Sequence, residues 1–153
     1  MSSSQVAGLR SGEIKAAMRT EHRDIQKWVK RNYGQKYQVA AEVDKQNYLP
    51  DRERHWYQPD VILRDGNDEI RYIIEIENDP VRKALVGASI LADYSVHELK
   101  QETRPRLIFV VYAEQGIKQI LNFVEKLAIA KQYCSHLGNI EIYSEREFKA
   151  LQL

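Results

Sequence analysis

A chain of 153 residues, 43% hydrophobic and 29% charged, has the composition of one globular domain with a sizeable core, which excludes a disordered class. No apolar run approaches the ~20 residues that span a bilayer, and Met1-Ser2-Ser3-Ser4-Gln5 lacks the apolar core of a secretory signal. A frayed N-terminus and a cytoplasmic location are therefore expected, and no membrane partner. The net charge is only +1, but Arg10 to Lys36 holds eight Lys/Arg against three Asp/Glu, which predicts a local basic surface. The single cysteine, Cys134, excludes an intramolecular disulfide and a Cys-rich zinc site. His22, His55, His97 and His136 show none of the close spacings of zinc ligands, so no zinc is expected.

Residues 12 to 33 read as a helix, with Ser11 as cap and Gly34 as stop. Its apolar stripe is Ile14, Met18, Ile25, Trp28 and Val29, and Glu21 falls within that stripe and faces inward. Lys15, Arg19, Arg23, Lys27 and Lys30 recur on another side as a basic ridge. Tyr37 to Val43 reads as a strand, Asp44 to Trp56 as a long polar connection, and about Tyr57 to Arg64 as a second strand. Asp65-Gly66-Asn67-Asp68 signals a tight hairpin into a third strand, about Glu69 to Glu77, antiparallel to the second. Asn78-Asp79-Pro80 predicts a capped helix over about 80 to 99, broadly buried through Val81, Leu85, Ala88, Leu91 and Ala92. Leu107-Ile108-Phe109-Val110-Val111 predicts a strand covered on both faces. A further helix ends near Gly138, with Ile117, Ile120, Leu121, Val124, Leu127 and Ala128 as its core face. Ile140 to Tyr143 alternates as a last strand, and Ser144 with Glu147 forms a capping box that opens a short C-terminal helix. The order αβββαβαβα predicts an α/β domain over residues 12 to 153, a mixed sheet with helices on both faces.

Acids interrupt two of the apolar strands. Asp60 follows Pro59 just before Val61-Ile62-Leu63, and Glu75 and Glu77 alternate with Ile74 and Ile76, so both glutamates point to one face. Side by side, like charges require a cation.

In this order and with these acids the chain resembles the PD-(D/E)xK nuclease superfamily, the restriction-endonuclease-like three-layer fold. Pro59-Asp60 is similar to its PD, Glu75 to its second acid, and inward-facing Glu21 to the acid that many members contribute from the first helix. The departure is Glu77, which stands where the family pattern has lysine. Lys83, in the first turn of the next helix, is the candidate to return an amine to the site.

The resemblance implies hydrolysis of DNA phosphodiesters, with RNA left open, by a Mg²⁺- or Mn²⁺-dependent endonuclease. Asp60 and Glu75 would hold the metal with the Ile76 carbonyl as a further oxygen, and Glu77 would either complete the ligand set or act as general base. Nucleic acid would be held by the ridge Lys15, Arg19, Arg23, Lys27 and Lys30, and by Arg52, Arg54 and Trp56 of the polar connection. By the same analogy a homodimer is expected. The alternative reading is a catalytically inactive descendant that binds nucleic acid or a protein, and Glu77 favours it. A third is an unrelated α/β module whose glutamates pair with Lys or Arg across the sheet.

Overall fold

The computed structural model describes the backbone of residues 11–153 and the side chains of that span other than those at positions 11, 13–19 and 55. The elements are α1 (Ser11–Tyr33), β1 (Gln38–Ala41), a 3-10 turn (Glu42–Asp44), β2 (Leu49–Pro50), β3 (His55–Tyr57), β4 (Val61–Arg64) and β5 (Ile70–Glu77). They continue as α2 (Arg82–Leu99), β6 (Arg106–Val111), α3 (Glu114–Lys118), α4 (Ile120–Lys131), β7 (Asn139–Ser144) and α5 (Glu145–Lys149). Five strands form one mixed sheet in the order β1-β4-β5-β6-β7, while β2 and β3 form a separate two-stranded hairpin. Both β1–β4 and β4–β5 are antiparallel, whereas β5–β6 and β6–β7 are parallel.

Alternation along β5 divides the core. Ile74 and Ile76 pack with Ile25 and Val29 of α1 and Phe148 of α5. Ile73 packs on the other face with Leu85 and Ala92 of α2, Phe123 and Leu127 of α4, and Leu49 and Tyr57 of the hairpin. Glu75 and Glu77 share the parity of Ile73 and belong to this second face. In β6 every residue from Leu107 to Val111 is fully buried, as its continuous apolar run requires.

The turn at Asp65 to Asp68 forms as expected, with the Asp65 carboxylate accepting from Asn67 N at 2.9 Å and Glu69 N at 3.2 Å. The capping box holds too: Ser144 Oγ accepts from Glu147 N, and the Glu147 carboxylate accepts from Ser144 N. Gly34 directly follows α1, at a position where a Cβ would lie 2.5 Å from Lys30 O, so only glycine fits there without a shift. The proposed Ser11 cap, the Ile14 and Met18 part of the stripe and the frayed start lie outside the described side chains or residues.

Other expectations fail for local reasons. The polar connection contains the β2–β3 hairpin, and the second strand divides: His55–Tyr57 joins the hairpin while Pro59, which has no N–H to give a ladder, separates it from β4. The next helix starts at Arg82 with Val81 at its cap and no side-chain capping bond: the chain bends at Asn78 and Asp79, buried Pro80 packs beside Gly116, and Val81 is extended. The last long helix breaks at Gln119, so its core face is Phe123, Leu127 and Ala130; Ile117, Leu121 and Val124 are exposed, Leu121 by 85%. On α2, Val81, Ile90, Leu91 and Tyr94 are also exposed, so that helix is buried on one side only.

Candidate functional site

Three elements converge where β4 begins and β5 ends. Asp60 is fixed there by its neighbours: its carbonyl accepts from Glu42 N at 2.9 Å, and the buried Asn47 amide donates to the adjacent Pro59 carbonyl at 2.8 Å. Its side chain bridges to β5, with Asp60 Oδ2 accepting from Ile76 N at 2.7 Å and Asp60 N donating to Glu75 Oε1 at 3.0 Å. This lock between the two strand ends orients both carboxylates and leaves one oxygen on each without a backbone donor.

Glu42, which the sequence reading missed, is a fourth acid of the cluster. It follows β1 in the 3-10 turn, and the register pairing Ala41 with Val61 sets it beside Asp60. Gln26, 1% exposed on α1, holds it by donating to Glu42 Oε2 at 3.2 Å while accepting from Val43 N at 2.9 Å. Ala40-Ala41-Glu42 at the end of a strand was the available signal; which acid stood opposite Asp60 depended on register, which spacing did not give. His22 of α1 also approaches, stacking edge-on against Tyr112 at 5.4 Å, and burial lowers its pKa while Glu42 opposes the shift.

The electrostatics of the cluster are those of charge without counter-charge. Burial lifts the Asp60 carboxyl to about 8, opposed by the Ile76 hydrogen bond and reinforced by Glu42 and Glu77. Burial also raises Glu75 well above the carboxylate range, with the Asp60 and Glu77 charges adding to it, and burial raises Glu77. Tyr112 is raised by burial and then by Glu77 and Asp60. Among the described residues no Lys or Arg forms an ion pair with Asp60, Glu75 or Glu77. The cross-sheet pairing to a base that a purely structural role would supply is therefore not made.

Tyr57 is 7% exposed at the end of the hairpin, with its hydroxyl buried beside the Glu75 carboxylate; burial first, and then the Glu75, Asp60 and Glu77 charges, raise its pKa well above the usual phenol value.

No known family, curated protein or solved structure matches this chain. The site therefore has to be read from its own chemistry. Asp60, Glu75, Glu77 and Glu42 offer hard carboxylate oxygens, the donor type preferred by Mg²⁺ and Mn²⁺, and a cation would relieve the raised pKa values. Among the described residues no three His, Cys, Asp or Glu side chains already stand in ligating arrangement, so holding an ion requires these side chains to rearrange. The donor set fits a hard divalent ion in kind and in charge.

The remaining candidates are distributed more widely. Glu21 is half-buried on α1, next to His22. Lys83 is exposed in the first turn of α2, and among the described residues it forms no ion pair with the acids. Of the basic ridge, the Lys15 and Arg19 side chains lie outside the described ones; Arg23, Lys27 and Lys30 are exposed, and Lys30 is paired with Asp44 at 2.7 Å. Arg52 sits over the Tyr48 ring at 5.7 Å, Arg54 is 3.9 Å from Asp51, and Trp56 is half exposed against Tyr94. A cleft of about 610 Å³ lined by Lys45, Tyr48, Arg52 and Arg64 opens at the end of β4 remote from Asp60. Among the described residues no helix is long and apolar enough to cross a membrane.

Proposed function

We propose that this protein is a PD-(D/E)xK-type, restriction-endonuclease-like hydrolase that cleaves phosphodiester bonds in DNA with Mg²⁺ or Mn²⁺. The observation that carries the reading is a group of half-buried acids, Asp60, Glu75 and Glu77, whose carboxyl pKa values are all raised and which form no ion pair with a Lys or Arg among the described residues. Clustered carboxylates drawn partly out of water without counter-charge are costly, and such an arrangement is expected where a cation and a phosphate complete the site. Its place at the carboxyl end of parallel β5 and β6 is also where open α/β sheets bind ligands.

In this reading Asp60 and Glu75 hold the ion, with Glu42 as an added ligand or an anchor for it. When bound, the ion supplies charge neutralisation at the phosphoryl oxygens and activates water near neutral pH. Glu77, raised by burial, accepts the proton of the attacking water. Arg23, Lys27, Arg52 and Arg54 are exposed to bind backbone phosphates. A second copy of the chain would use the apolar residues left open on α2 and α4, so that two sites address two strands.

A second reading, an inactive nuclease-fold protein that binds nucleic acid or a protein, is favoured by Glu77 in the lysine position and by the exposure of Lys83. The two are separated by incubating wild type and Asp60→Asn with supercoiled, branched and single-stranded DNA and with RNA in Mg²⁺ and in Mn²⁺. Hydrolysis requires cutting by the wild type that falls at least ~100-fold in the variant. Binding by both proteins with no cutting supports the second reading.

A further inference from the structure

Two histidines that lie 39 residues apart in sequence meet on the α2 side of the molecule. His97 occupies the last turn of α2, and His136 the loop between α4 and β7. His97 Nδ1 and His136 Nε2 face each other at 3.1 Å, with the ring centroids 4.6 Å apart. One turn before His97, Asp93 clamps His136: Oδ1 accepts from its backbone N at 2.7 Å, and Oδ2 lies 3.3 Å from its Nδ1.

The Asp93 carboxylate beside Nδ1 favours the tautomer that keeps the proton there. With Nδ1–H of His136 directed at Asp93, its Nε2 carries a lone pair aimed toward His97. A nitrogen separation of 3.1 Å is close to the roughly 3.3 Å between two ligands of a tetrahedral ion bound at about 2.0–2.1 Å. A carboxylate behind a ligating imidazole is also how such histidines are held in orientation. The pair is open to solvent, since the His136 side chain is 41% exposed while Asp93 is largely covered.

We propose that His97 Nδ1 and His136 Nε2 form a surface site for a borderline divalent transition ion, Zn²⁺ or Ni²⁺, with Asp93 as the positioning residue and water in the remaining coordination positions. Imidazole nitrogen selects these ions over Mg²⁺, so this site is chemically separate from the carboxylate cluster. Among the described residues no third His, Cys, Asp or Glu completes a ligand set, so the affinity is micromolar rather than nanomolar. A bound ion would tie the end of α2 to the segment that leads into β7.

The test is a Zn²⁺ titration of the full chain, followed by thermal melting and by ¹⁵N resonances of the imidazoles, using wild type, His97→Gln, His136→Gln, Asp93→Asn and the acid-cluster variant Asp60→Asn/Glu75→Gln. Zn²⁺ at about 1 mM is expected to raise the melting temperature of the wild type and of the acid-cluster variant by several degrees. Neither histidine variant shifts by more than ~1 °C, the resonances of His97 Nδ1 and His136 Nε2 move on titration, and Asp93→Asn weakens binding roughly tenfold. Equal melting shifts in the histidine variants, movement confined to His22 and His55, or no response of the wild type to 1 mM Zn²⁺ would overturn the assignment. A shift lost only in the acid-cluster variant would overturn it as well, by placing Zn²⁺ on the carboxylates. Because the acid-cluster variant retains the histidines, failure of this proposal is distinguishable from failure of the phosphodiesterase reading.

Discussion

Asp60 concentrates the electrostatic conflict of the site, and its protonation gives a direct test. Its folded-state pKa of about 8 stands above the ordinary 3.8, so the folded protein binds this proton more tightly than the unfolded chain does. The resulting stability is fully present below pH 3.8 and is lost as pH rises through about 8. Without metal, Asp60→Asn is therefore expected to melt several degrees above the wild type at pH 8–9 and close to it only below pH 3.8, as measured by thermal denaturation in a chelator. Asp60, Glu75 and Glu77 were legible in the sequence because each interrupts an apolar strand. Glu42 and Gln26 were not, because a glutamate after a strand and a glutamine on a helix acquire meaning only from the register of β1 on β4 and the docking of α1. His97 and His136 were hidden for the same reason: the chain between them carries no spacing signal.

At the scale of elements, periodicity located nearly every strand and helix, and its failures have definite causes. The two-stranded hairpin was hidden because β2 has two residues and β3 three, too few for alternation to be seen. A continuous helix through Gln119 would have buried Leu121 and Val124; the break re-phases α4 so that Phe123, Leu127 and Ala130 meet the sheet. Gly116, inside α3, lets that helix close directly on the strand ends, since a Cβ there would come within 2.7 Å of Asn78 O and 2.6 Å of Val111 Cγ1. Phe123→Ala should then cost ~3–5 kcal/mol of unfolding free energy, whereas Leu121→Lys changes that of the monomer by less than ~0.5 kcal/mol, read by urea denaturation at low protein concentration.

For the whole molecule, the sheet separates the two expected nucleic-acid elements: α1 lies on the face with Ile74 and Ile76, and the β2–β3 hairpin on the face with Ile73. A bound duplex would have to pass over the end of the sheet, where the acids stand, to reach Arg23 and Lys27 on one side and Arg52 and Arg54 on the other. Arg23→Glu and Arg54→Glu are accordingly expected to weaken DNA binding independently, each reducing the salt dependence of affinity by about one phosphate contact in a fluorescence titration. In the proposed dimer the second copy would cover the exposed apolar residues of α2 and α4 on the hairpin side, and Leu121→Lys is then expected to shift it toward monomer in sedimentation equilibrium.

All of this depends on whether the acids at the ends of β4 and β5 jointly hold a cation. Calorimetric titration of Mn²⁺ into the protein at pH 7.5 measures it most directly. The wild type is predicted to bind one Mn²⁺ per chain with proton release, and Asp60→Asn/Glu75→Gln to lose that binding while remaining folded; identical isotherms for the two proteins, or no binding by the wild type, would contradict it.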